Sequence, residues 1–237
     1  MIDRLAAPRE TSRMQDEPEQ PHTLVITNTQ SLLDALDRRG VSDAERRAFD
    51  DSIWSARGVD ASILVTDLSG FTRLTRRHGI IHFLAVFRRC QNICLPLITG
   101  HGGFTLKQDA DDLIALFPDP SSAVAAALGM IKAAHELNTT LDEDDRVGLC
   151  IGVEHGRMLR LDDDAFGDPV NVAFKLGEDI AEAGEVLIGA SAFARVEELD
   201  YDFTGYSVSE ARGAETGKVV LEHRAVRWVG DDPSGAG

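Results

Sequence analysis

The spacing of apolar residues changes several times along the 237-residue chain, and those changes divide it. Met1 to about Pro21 is polar, carries Pro8, Pro18 and Pro21, and has no period, which predicts a disordered tail over 1–22. Thr23 to Thr27 has the composition of a short strand. The segments opening at Thr29 and Ser42 each carry a helix-start signature and are separated by Gly40, so 23–58 reads as a short helical leader. From Ala61 the pattern alters. An apolar, β-branched run, Ser62 to Thr66, leads into Asp67 and a Ser69-Gly70 turn. Ile80 to Ile98 then places Phe83, Leu84, Phe87, Cys90, Ile93 and Cys94 on one face at helical spacing.

Next, His101 to Phe117 reads as strand, acidic turn, strand. Ser121 to Leu137 is an alanine-rich helix announced by the caps Asp119 and Ser121. Val147 to Val153, an apolar run interrupted by Gly148 and Gly152, reads as a central strand. Strand, helix, hairpin, helix, strand is an α+β, ferredoxin-like βαββαβ order. Glu185 to Gly189 adds a strand after a turn at Gly184. Tyr201 to Ser209 and Lys218 to Val226 read as a closing hairpin. The main domain is thus expected over 59–228, with a flexible tail over 229–237.

Composition narrows the function classes. Hydrophobic residues make up 43% and charged ones 27%, as in a soluble globular protein. Twenty-four Lys and Arg against 40 Asp and Glu give a net charge of −16, which argues against nucleic acid or an anionic membrane surface as partner. No apolar run has the length of a membrane span, and Met1-Ile2-Asp3-Arg4-Leu5 lacks the basic-then-apolar pattern of a signal peptide. Cys90, Cys94 and Cys150 cannot all pair, and Cys90 and Cys94 lie four apart in a helical pattern, where buried thiols are expected rather than metal ligands. A cytoplasmic, reduced protein is the expectation.

Two aspartates carry the candidate chemistry. Asp67 closes the Ser62–Thr66 run and should face the amides of Gly70, Phe71 and Thr72 where a helix begins. That is either a helix cap or a place to hold a metal ion bridged to phosphates. Asp111 stands at the tip of the 101–117 hairpin. If the hairpin pairs beside the first strand, the two carboxylates converge, and so sparse a ligand set suits Mg²⁺ or Mn²⁺ sharing phosphate oxygens.

At this point the sequence resembles the class III nucleotidyl cyclases, the adenylate and guanylate cyclases. Asp67-Leu68-Ser69-Gly70-Phe71-Thr72 resembles their first metal motif. Lys107 to Phe117 resembles the second, with Asp111 on the metal aspartate and Lys107 on a base-reading lysine. Phe166 to Lys175 resembles the Gly-Asp/Asn-x-Val-Asn-x-Ala-x-Arg helix. The resemblance covers roughly Ala61 to Val226 and implies a cyclase homology domain that converts ATP to 3′,5′-cyclic AMP and pyrophosphate.

It further implies two Mg²⁺ or Mn²⁺ ions on Asp67 and Asp111, with the Leu68 carbonyl beside them. Ser69 to Thr72 would meet the phosphates, and Lys107 and Asp164 the adenine. Asn171 would orient the ribose, Lys175 would meet the reacting phosphorus, and Arg212 the triphosphate. Each site would be shared between two copies of a homodimer. Asp164 also closes a run of three aspartates, where the alternative is solvated charge. The chain departs from the family pattern at Lys175, where relatives have arginine, at Ala110, where they have glycine, and in a shortened arm after Gly156. Those departures keep open a cyclase of another base and a pseudocyclase that acts as a nucleotide-binding or dimerisation module.

Overall fold

The computed structural model of the chain describes residues 25–109, 112–216 and 219–230. The tail expected at 1–22 and residues 231–237 of the one expected at 229–237, together with Thr23, Leu24, Ala110, Asp111, Gly217 and Lys218, lie outside them. Helices α1 (Thr29–Leu36) and α2 (Asp43–Arg57) form the leader. The Asn28 side chain accepts from the Ser31 amide and the Ser42 side chain from the Glu45 amide, each within a capping box that satisfies otherwise unpaired first-turn donors. Val25 to Thr27 is irregular rather than a strand. Its Ile26 is buried with Leu32, Ala35 and Ile53 instead of pairing with the sheet.

The core runs β1 (Gly58–Leu68), α3 (Phe71–His78), α4 (Ile80–Gly100), β2 (Phe104–Asp109), β3 (Asp112–Phe117), α5 (Pro120–Asn138) and β4 (Leu149–Arg160). Then come β5 (Ala165–Phe166), α6 (Asp168–Phe174), a π-helical turn over Lys175–Ile180, β6 (Glu185–Gly189), α7 (Ala190–Glu198), β7 (Tyr206–Val208), β8 (Arg212–Thr216) and β9 (Val219–Trp228). The described strands form one sheet in the order β2-β3-β1-β4-β6-β9-β7, with β5 beside β4 and β8 beside β9. Its first four strands, β2-β3-β1-β4, pair antiparallel throughout, the ferredoxin-like arrangement expected from the sequence.

Each strand follows the period-two rule, so the sheet buries two different faces. Leu64 and Leu68 pack with Phe83, Cys90 and Cys94 of α4, with Ala123, Ala127 and Met130 of α5, and with Ala192 of α7. Ile63 and Val65 point the other way, onto Val170 and Ala173 of α6. Asp119 caps α5 as expected, accepting from the Ser122 amide at 2.9 Å. Cys90 and Cys94 are buried free thiols.

Two further expectations are corrected. The central strand does not stop near Val153 but continues to Arg160, because it pairs with β1 over the whole register from Leu68↔Leu149 to Gly58↔Leu159. The strand forming a hairpin with β9 is β8, Arg212↔His223 to Thr216↔Val219. The Tyr201–Ser209 region contributes only β7, which pairs with the far end of β9 through Tyr206↔Trp228, leaving room along the same edge for β8.

One backbone contact places the third motif. A Cβ added at Gly152 of β4 would run into the Ala173 carbonyl and lie 2.6 Å from the Gly177 amide. Only glycine lets α6 and the π-helical turn lie directly on the strand, and that contact sets the height of Asn171 and Lys175 above the sheet.

Candidate active site

Asp67 is the penultimate residue of β1, half-buried, at the strand's carboxyl end. The chain then leaves the sheet in a short turn held by the Ser69 amide, which donates to the Gly148 carbonyl at 2.8 Å. Gly70 begins α3 at φ 95°, in the left-handed region that favours glycine, and as the N-cap residue it has no side chain of its own to cap the helix. First-turn amides have no partner within their own helix, which makes the start of α3 a suitable place for a carboxylate or a phosphate. Asp67, Leu68, Ser69, Gly70, Phe71 and Thr72 line a cavity of about 490 Å³ together with Arg73, Cys150, Glu178 and Ala181. The first motif thus forms one wall, as its sequence suggested.

Cys150 and Glu178 were not anticipated. Cys150 faces Asp67 directly in the β1–β4 register, and burial, followed by the Asp67 charge, pushes its thiol up to about 12. Glu178 reaches the cavity from the π-helical turn. Burial, then Asp67 and Asp179, raise its carboxyl above the usual range. The parity of β4 could have indicated Cys150; nothing local in the sequence indicates Glu178, which depends on the π turn. A carboxylate wall beside first-turn helix amides fits a cation shared with an anionic ligand. Among the described residues no cluster of three His, Cys, Asp or Glu side chains is placed to hold a metal. The predicted second ligand, Asp111, lies outside those residues. The strands on either side of it are described: Asp109 pairs with Asp112, and Leu113 with Thr66, so the hairpin closes beside the end of β1.

Helix α3 is fastened from the other side. Asp144, in a 3-10 turn over Glu143–Asp145, meets Arg73 at 3.3 Å, Arg77 at 3.2 Å and His78 at 3.0 Å. Partial burial pushes the Asp144 carboxyl up, but His78, Arg77 and Arg73 together outweigh it and hold it below the ordinary range. A depressed carboxyl contributes stability above the ordinary aspartate value of about 4 and loses it as pH falls through the depressed value. Asp144→Asn should therefore lower the melting temperature near pH 6, with the gap to wild type closing on acidification below pH 4. Thermal melts followed by circular dichroism check this, and a gap that does not narrow would remove the cluster from the account.

The predicted base-reading residues meet although 57 positions apart. Lys107 of β2 donates to Asp164, just before β5, at 3.2 Å, and both are partly buried. Asp164 also accepts from the Ala165 amide at 2.9 Å. Neither residue lines the Asp67 cavity. Asn171 is exposed on α6, and one turn later Lys175 donates to Asp179 at 2.6 Å, which raises the lysine's pKa. Arg212 opens β8 and lines a separate cavity of about 120 Å³ with Glu182, Glu185 and Arg227.

No family model matches the chain. Over 156 residues, 65% of the chain and 26% of the relative, it is 31% identical to a Rhizobium meliloti protein designated adenylate cyclase 3. Over 139 residues, 57% of the chain and 34% of the relative, it is 33% identical to the adenylate cyclase of Streptomyces coelicolor. It thus spans about a quarter to a third of the length of these curated relatives. Among solved structures, an adenylate/guanylate cyclase/hydrolase from Silicibacter pomeroyi superposes with a TM-score of 0.61 at 24% identity, covering 73% of this chain and 98% of that one. Motif order, sheet order and both kinds of likeness point the same way: the chain has the fold of the class III nucleotidyl cyclase domains and is similar in sequence to adenylate cyclases.

Proposed function

We propose that the chain is an adenylate cyclase converting ATP to 3′,5′-cyclic AMP and pyrophosphate, with Mg²⁺ or Mn²⁺, in a homodimer whose sites are shared between copies. The observation that carries this reading is the separation of two half-sites on one chain: Asp67 with the α3 amides in one cavity, and the Lys107–Asp164 pair outside it. Such halves become one site when a twofold axis brings a second copy across. Asp67, the Leu68 carbonyl and Asp111 would hold the ions, which supply charge neutralisation on the phosphates and a more acidic 3′-hydroxyl. The Ser69–Thr72 turn receives the β- and γ-phosphates on its amides.

Across the interface, Asp164 accepts from the adenine amino group and Lys107 donates to a ring nitrogen. Guanine presents the opposite edge, so this pair favours ATP. Asn171 orients the ribose, and Lys175 stabilises charge at the α-phosphorus, with Arg212 on the triphosphate. The names of the curated relatives support the adenine preference.

The test is incubation of the full chain with each of the four nucleoside triphosphates and Mn²⁺, then a mixing experiment. Asp67→Ala and Asn171→Ala chains, each inactive alone, should regain ATP turnover when mixed, because one of the two sites in the heterodimer is then intact. Subunit exchange seen by tagged pull-down without return of activity would dismiss the shared site.

A further inference from the structure

The Lys107–Asp164 pair is connected to the leader through the turn that precedes Asp164. Asp164 ends a four-residue turn, Leu161-Asp162-Asp163-Asp164, that joins β4 to β5 and is closed by the Leu161 amide donating to the Asp164 carbonyl at 2.8 Å. The three residues preceding Asp164 are each fastened to the N-terminal helices. Leu161 is buried among Ile26, Leu32, Ala35 and Ile53. The Asp162 amide donates to the Thr27 carbonyl at 2.7 Å, and the Asp162 carboxylate lies 3.7 Å from Arg57. Asp163 accepts from the Thr29 amide at 2.8 Å and from the Thr29 hydroxyl at 3.1 Å. That amide is the first of α1, so a carboxylate from the turn sits where the helix dipole favours negative charge. Arg157 of β4, stacked on Trp54 of α2 at 4.4 Å, adds a fourth tie.

We infer that the leader is a positioning element for base recognition: α1 and α2 hold the 161–164 turn, and the turn holds Asp164 against Lys107. Thr29 and Asp163 are positioning residues, acting on the nucleotide only through Asp164. The three consecutive aspartates thus divide their work, two toward the leader and one toward the base. A displacement of the leader shifts the base-reading carboxylate without touching the Asp67 cavity.

The inference rests on the adenylate cyclase reading, so its test has one arm that needs no turnover. Asp163→Ala removes the acceptor for Thr29, whereas Asp163→Asn keeps an oxygen there; the residue is exposed and outside the main core, so both chains should fold. Hydrogen exchange of the full-length Asp163→Ala protein should quicken at the amides of 162–165 as well as at α1, and Asp163→Asn should restore most of the protection. In Mn²⁺ assays Asp163→Ala should raise KM for ATP by about 3- to 10-fold, a weakening rather than a full loss of the Asp164 contact with the base, with kcat within about 2-fold. The preference for ATP over GTP should narrow by a similar factor. Quicker exchange confined to α1, or an unchanged KM and preference, would overturn the inference. A wild-type chain inactive with every nucleotide would remove the cyclase reading, while exchange at 162–165 still decides whether the leader holds the turn.

Discussion

Replacing Asp67 with alanine is expected to lower ATP cyclisation by about 10³-fold or more if its carboxylate holds the ions as proposed, because several kcal/mol of transition-state stabilisation would then pass through it. The fold should survive. The side chains on either side of Asp67 that hold β1 in the sheet, Thr66 and Leu68, are untouched, and the residue belongs to none of the apolar clusters. Removing its charge also relieves the field that raises Glu178 and adds to the raised pKa of Cys150. Melting temperature should therefore stay the same or rise. Steady-state rates with saturating Mn²⁺, read beside a thermal melt, separate the two effects. Residual turnover above a few per cent in a normally folded variant would mean that the ions sit elsewhere. Asp111→Ala is expected to behave alike on the resemblance of its hairpin to the second metal motif.

The second large effect is expected at Lys175, where the family pattern has arginine. If this lysine meets charge that develops only in the transition state, Lys175→Ala should reduce kcat by about 10²- to 10³-fold with little change in KM. Its contact with Asp179 does not argue against the role. Both partners are about half exposed, at 51% and 53%, so the pair is screened by water and is readily exchanged for a phosphate. Lys175→Arg should keep or raise the rate, because the guanidinium offers more donors in a planar fork. An alanine variant as fast as wild type would remove Lys175 from the chemistry and leave Arg212 as the next cation to examine. A chain that only binds nucleotide would show neither effect, having no turnover to lose.

Much of this protein is legible in the sequence because the signals are local. The alternation in Ser62–Thr66, the helical spacing from Phe83 to Cys94 and the Asp119 cap each depend on neighbours a few residues away. They define β1, α4 and α5 whatever the rest of the chain does. The turn after Asp67 is local too, since Gly70 alone permits the backbone that opens α3.

What required the tertiary structure was everything set by distant pairing. The length of β4 follows from its eleven-residue register with β1, which extends it well past Val153, where the apolar run ends. The partner of β9 is not legible locally because strand pairing is a competition between segments, and β8 and β7 share one edge of β9 at different heights. Glu178 enters the cavity only because the helix continues as a π turn packed on Gly152, a contact between segments twenty-five residues apart. The meeting of Lys107 with Asp164, and the contacts of the leader with the turn that ends in Asp164, likewise join residues that no periodicity connects. Local periodicity determined the elements and where the first motif would sit. Long-range packing decided which side chains share the Asp67 cavity and which lie outside it.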